Sequence, residues 1–143
     1  MCQALGYNRL SRVDPESDPL FHRKVVLFWS IYVLDRSNSL RLGRAPAIND
    51  YDIDTPMPTV TDRNPPTTVA MLEFWIECAR VQGKVCIQLY GPSASFLAPN
   101  ERIRLAEALS DELEQIHQRK LKVGVCLSFV TFSLTGPVRP TLT

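Results

Sequence analysis

The sequence predicts an all-α fold, an irregular helical domain fragment of about three main helices with a long proline-rich loop after the first. Three observations carry this. Apolar residues recur at three- and four-residue steps in three stretches, and proline or glycine punctuates the chain between them. The segment from Pro19 to Leu42 also runs without a breaker, too long for an ordinary strand despite the β-branched Val25, Val26, Ile31 and Val33. At 143 residues and 16.2 kDa the chain has room for one ordinary domain or part of a larger one.

The first helix is expected to start with Asp18 as N-cap and Pro19 in its first turn, where a missing N–H costs nothing. Phe21, Val25, Phe28 and Tyr32 then share one face, widened by Trp29 and Val33, and Gly43 is placed to cap the end. Pro46, Pro56, Pro58 and Pro65-Pro66 mark the following stretch as an extended loop. Helical spacing returns after Thr67 or Thr68, either able to cap, with Met71, Phe74, Trp75, Cys78, Val81, Val85 and Leu89 before the break at Gly91-Pro92. Gly83 within this run costs about 1 kcal/mol relative to Ala, so it marks either close packing or a weak point. The third helix is expected from Asn100-Glu101, with Ile103, Ala106, Leu109, Leu113 and Ile116 inward and Glu107, Asp111, Glu112 and Glu114 in water. Arg119, Lys120 and Lys122 complement its C-terminal end. Residues 123–138 carry no charge and lack helical spacing. The division expected is therefore a domain over 1–122 and an atypical C-terminal tail over 123–143, an alternative terminus rather than part of the fold.

Composition excludes some functions. Sixteen Lys and Arg against fifteen Asp and Glu leave a net charge of +1, which gives no bulk affinity for phosphates. Cys2, Cys78, Cys86 and Cys126 contain no C-x-x-C pair and read as free thiols of a reducing compartment. The start of the chain does not read as a signal peptide, and the apolar run Val25–Leu34 falls well short of the ~20 residues that span a membrane. The acids of Asp50-Tyr51-Asp52-Ile53-Asp54 imitate a calcium loop, but Thr55 and Thr61 stand where such a loop needs Gly and Glu. His22 and His117 lie on different predicted helices, and neither a phosphate loop nor a G-x-S-x-G elbow occurs. No catalytic, cofactor or metal residue is assigned, and the chain is read as a non-enzyme.

One order of elements is specific. An aromatic helix with Trp29 and Tyr32 leads to the pair Asp35-Arg36, then to a turn containing Gly43, Arg44 and Pro46, then to Asp52-Ile53-Asp54 and to Pro56-Met57-Pro58. This closely resembles the fungal-specific transcription factor domain, the middle regulatory region of binuclear zinc cluster transcription factors, with Ala45 standing where the family often has proline. Ala4 to Arg9 resembles the lead-in to that helix.

The resemblance implies a nuclear, all-helical regulatory region modulating RNA polymerase II transcription, with regulatory proteins or the transcription machinery as partners. It implies DNA contact and zinc only through a separate six-cysteine cluster, absent from this chain. It further implies that the chain begins inside the domain, so that uncovered apolar faces would favour self-association. The alternative is a stand-alone helical interaction or effector-binding module without DNA-binding activity. Physically, Trp29 and Tyr32 are expected to anchor the helix, each burying ~150–250 Å². Arg36 and Arg44 are expected to clamp Asp52, Asp54 or both, fixing the stiff loop across the helix end.

Overall fold

Before the first helix the Asp18 carboxylate accepts the Leu20 N–H at 2.9 Å and the Lys24 ammonium at 2.7 Å, and both bonds hold its carboxyl below the usual range. The turn so formed contains Pro19, and α1 runs Phe21–Leu42, a start slightly later than Asp18 capping alone would give. In this computed structural model, which describes residues 3–121, α1 is followed by α2 (Pro66–Gln88) and α3 (Pro99–Leu121), with short 3-10 turns at Leu10–Arg12, Asp50–Asp52 and Pro92–Phe96. The described residues form no strand, only an isolated bridge between Thr61 and Asn64. The tail expected over 123–143, with Cys126 in it, lies outside the described residues, as do Lys122 and Cys2.

The face expected for α1 is the buried one: Phe21, Val25, Phe28, Trp29 and Tyr32 line it, continued by Arg36 and Ser39. Its end is set by Gly43 at φ 62°, a left-handed conformation that glycine adopts without strain, and the N–H groups of Gly43 and Arg44 both close on the Ser39 carbonyl. On the far side Leu20, Leu27 and Leu34, seven residues apart, are 47%, 47% and 60% exposed.

α2 begins with Pro66 in its first turn and Pro65 as the cap, in place of the threonines expected there. It lies parallel to α1, since Ser37 donates to Gln82 at 3.1 Å, Arg36 touches Gly83, and Leu40 lies near Val85 and Cys86. A parallel pair requires the connection to travel back along the helices, which is the path of residues 44–65. α3 returns antiparallel, pairing Glu112 with Lys84, Arg119 with Glu77 and Lys120 with Glu73.

The central helix is therefore buried on two sides. Leu72, Ile76 and Ala79 join the cluster of α1, while Phe74, Cys78 and Val81 pack on Leu109 and Ile116 of α3. The expected stripe captured only the second of these faces, together with Trp75, which touches both clusters. In α3 the inward face is shorter than expected: Leu109 and Ile116 are buried, Leu113 partly so, but Ile103 is 57% exposed and Ala106 is exposed. At its start the Glu101 carboxylate accepts the Ala98 N–H at 3.2 Å while the Ala98 carbonyl accepts the Glu101 N–H, a reciprocal cap.

Candidate functional site

Helical spacing places Trp29, Tyr32 and Arg36 on one face of α1, and all three reach the returning strap of residues 44–58. Trp29 Nε1 donates to the Pro56 carbonyl at 2.8 Å. Tyr32 Oη donates to Asp50 Oδ1 at 2.7 Å, and Arg36 Nη2 donates to the same oxygen at 3.0 Å and to the Ile48 carbonyl at 2.8 Å. Asp35 turns to the other side of the strap, where its two carboxylate oxygens accept the N–H groups of Ala47 and Ile48, each at 3.1 Å. The Asp-Arg pair thus grips both polarities of one backbone segment, Asp35 taking donors and Arg36 taking acceptors.

Electrostatics sharpen the grip at Arg36. Its side chain is 2% exposed, while that of Asp50 is 57% exposed, so one partner is desolvated and the other is still hydrated. The guanidinium stacks over Tyr32 at 4.8 Å from the ring centroid. Its Nε is buried with no hydrogen-bond partner among the described residues. Burial, followed by the hydrogen bond to Asp50, pushes the Tyr32 phenol up to about 12. Edge-on contacts tie Phe28 to Trp29 and Trp29 to Tyr32, each at 5.4 Å between centroids. Arg80 of α2 lies over the Trp29 ring at 5.6 Å. Gly83 belongs here as well: a Cβ at that position would sit 3.2 Å from Arg36 Nη1, so close packing explains the glycine.

The opposite edge of the strap is held by the segment before α1. Asn8, 3% exposed, donates from Nδ2 to the Asp52 carbonyl at 2.9 Å and to its carboxylate at 3.0 Å. The Asp54 N–H bonds the Asn8 carbonyl at 2.6 Å, the Ser11 N–H bonds the Asp54 carbonyl at 2.9 Å, and Thr55 Oγ1 donates to the Tyr7 carbonyl at 2.7 Å. Arg9 pairs with Asp52, and Arg12 approaches Asp54 at 4.0 Å. The exposed Arg12–Asp54 pair contributes little.

These contacts correct the expected clamp. Arg36 closes on Asp50 rather than on Asp52 or Asp54, and Arg44 is exposed, with no side-chain ion pair among the described residues. The reason is local geometry. Ile53 is extended and packs toward the core, so its neighbours Asp52 and Asp54 point the opposite way, to Arg9 and Arg12. Of the other motif positions, Gly43 turns the chain out of α1, Pro58 is buried, and Pro46 and Pro56 are half-buried in the strap. Asp50, Asn8 and Thr55 lie outside the sequence motif, and the one sequence signal for Asp50 is its place in the acidic alternation of Asp50, Asp52 and Asp54.

Between strap and α2 lies a hollow of about 380 Å³ lined by Trp29, Asp50, Met57, Arg80 and Lys84. Cys78 is packed between α2 and α3, where burial raises its thiol to about 11, and Cys86 is half-buried farther along α2. Both are free, and no group of three His, Cys, Asp or Glu that could hold a metal ion gathers among the described residues. His22 lies 3.5 Å from Thr59 Oγ1 at the exposed surface, and His117 is on α3. No helix of the described residues is long and apolar enough to cross a membrane.

Comparison with known proteins adds the family. Residues 1–86 match the fungal specific transcription factor domain, a span that takes in the segment before α1, α1 itself, the strap and most of α2. The uncharacterized transcriptional regulatory protein C3C7.04 of Schizosaccharomyces pombe is 31% identical over 107 residues, 72% of this chain and 13% of that protein. C530.05 of the same organism, also called a transcriptional regulatory protein, is 31% identical over 103 residues, 65% of this chain and 14% of that protein. Protein STB5 of Saccharomyces cerevisiae is 27% identical over 96 residues, 66% of this chain and 13% of its own length. The chain therefore spans about an eighth of the length of these relatives. No solved structure matches it.

Proposed function

We propose a function from one premise: this chain belongs to the fungal specific transcription factor domain family. In this reading it is a regulatory region of a nuclear transcription regulator acting on RNA polymerase II genes, and it does not itself touch DNA. DNA contact and zinc belong to a separate cysteine cluster, and the partners of this region are regulatory proteins or the transcription machinery. One observation carries the reading, the match over residues 1–86, supported by relatives named as transcriptional regulatory proteins. The geometry agrees with it: the polar side chains that α1 sends to the strap end on its backbone groups and on the Asp50 carboxylate, which is the chemistry of holding a shape.

The test is a reporter driven by a foreign DNA-binding domain joined to a foreign activation segment, with and without this chain between them. Insertion is expected to change reporter output, and Arg36→Ala, which releases the strap, is expected to remove the change. Identical output with and without the chain, at equal protein levels, would overturn the reading.

A further inference from the structure

A larger hollow, about 630 Å³, opens where α1 and α2 end together, away from the strap's polar grip. Its volume lies within the ~300–1,000 Å³ of small-molecule sites. Leu40, Ala45, Val85 and Tyr90 give it apolar walls, and Arg41 and Arg44 stand at its edge with no carboxylate in the lining.

Charge separates this hollow from the one beneath the strap. There Asp50 is shared by Tyr32 and Arg36, Lys84 is paired with Glu112, and Arg80 lies over Trp29, so each charged group already has its partner. At the larger hollow Arg44 has no ion-pair partner among the described residues; exposed arginines such as Arg23, Arg63 and Arg104 also pair with no acid, but none of them lines this hollow. The ends of two helices lie nearby, and a helix C-terminus disfavours an anion by ~0.3–1 kcal/mol. That opposition is blunted here, because the Ser39 carbonyl already accepts two N–H groups and the Leu89 carbonyl faces Arg102 Nη2 at 3.4 Å. A guanidinium–carboxylate pair, with two parallel hydrogen bonds, offsets what is left.

We propose that this hollow binds a small amphipathic carboxylate, its acid group on Arg44 and its hydrocarbon body between Leu40, Val85 and Tyr90. The proposal is independent of the regulatory reading, because it is tested on the purified chain without any reporter. The probe is octanoate, followed by chemical-shift changes at the amides of Gly43, Ala45 and Gly91, with octanamide as the uncharged match. Saturable binding of octanoate at one site is expected, with ~2- to 5-fold weaker binding of octanamide and of octanoate to Arg44→Ala, the scale of an ion pair at an exposed arginine. Arg44 is exposed, so its removal leaves the core intact. As a second variant, Ala45→Glu, also at an exposed position, sets a carboxylate in the wall and is expected to weaken octanoate while sparing octanamide. No saturable shift, equal binding of the amide, or unchanged affinity in Arg44→Ala would each overturn the proposal.

Discussion

Arg36 illustrates how one side chain links three parts of the chain, for it touches the strap at Ile48 and Asp50, its own helix at Tyr32 and α2 at Gly83. Arg36→Ala should cost about 2–4 kcal/mol in chemical denaturation, below the range for a fully buried pair because Asp50 stays hydrated. Arg44→Ala should stay within about 0.5 kcal/mol, as for other exposed positions. Gly83→Ala should destabilise the native protein, since the added methyl pushes on a guanidinium already held by two acceptors, even though alanine favours helix by about 1 kcal/mol. In an Arg36→Ala background the same change should become stabilising, and a double-mutant cycle reads that reversal of sign. Tyr32 adds a pH dependence. Its phenol ionises near 12 when folded and near 10 when not, so its contribution is complete below pH 10 and is lost as pH rises through 12. The stability difference between the native protein and Tyr32→Phe should therefore shrink on the order of 2–3 kcal/mol across that window. A difference independent of pH would refute the buried hydrogen-bonded phenol.

The strap is an element without regular structure, and its order comes from its two edges, α1 on one side and Tyr7 to Ser11 on the other. Asp35→Ala removes the acceptors of two backbone N–H groups, so hydrogen exchange at Ala47 and Ile48 should accelerate ~10- to 100-fold while α3 amides keep their rates. Equal acceleration in both places would mean that the strap opens only with the whole fold. α1 was legible from sequence because one side is buried and the other wet, which is the condition under which helical spacing shows; Gly43 was legible because its left-handed turn suits glycine. α2 was half legible, since a helix covered on two sides carries apolar residues all round and no stripe stands out. The strap's pairing was not legible. Asp50, Asp52 and Asp54 offer equivalent carboxylates in sequence, and only the 3-10 turn at Asp50–Asp52 and the inward Ile53 decide which one meets Arg36.

At the scale of the molecule the two sides of α2 are unequal. Toward α1 lies the larger cluster, with Trp29, Tyr32 and Phe28 interlocked and the strap laid over them. Toward α3 lie, among the described residues, five buried side chains and three cross-helix ion pairs, of which Lys84–Glu112 and Arg119–Glu77 are substantially exposed. Exposed pairs contribute ~0.2–1 kcal/mol each and weaken in salt, so α3 should open at a lower free energy than α1 and the strap. Cys78 reports this opening directly, because it is 9% exposed and α3 covers it, whereas Cys86 is half-buried outside that cluster. Alkylation followed site by site in the mass spectrometer should modify Cys86 before Cys78. Cys78 should follow at a rate set by α3 detachment, faster than global unfolding and faster again at ~1 M salt, where the Debye length falls to ~3 Å. If Cys78 reacted only at the global unfolding rate, α3 would be one cooperative unit with the rest. If salt had no effect on it, the ion pairs between α2 and α3 would contribute nothing to holding that helix in place.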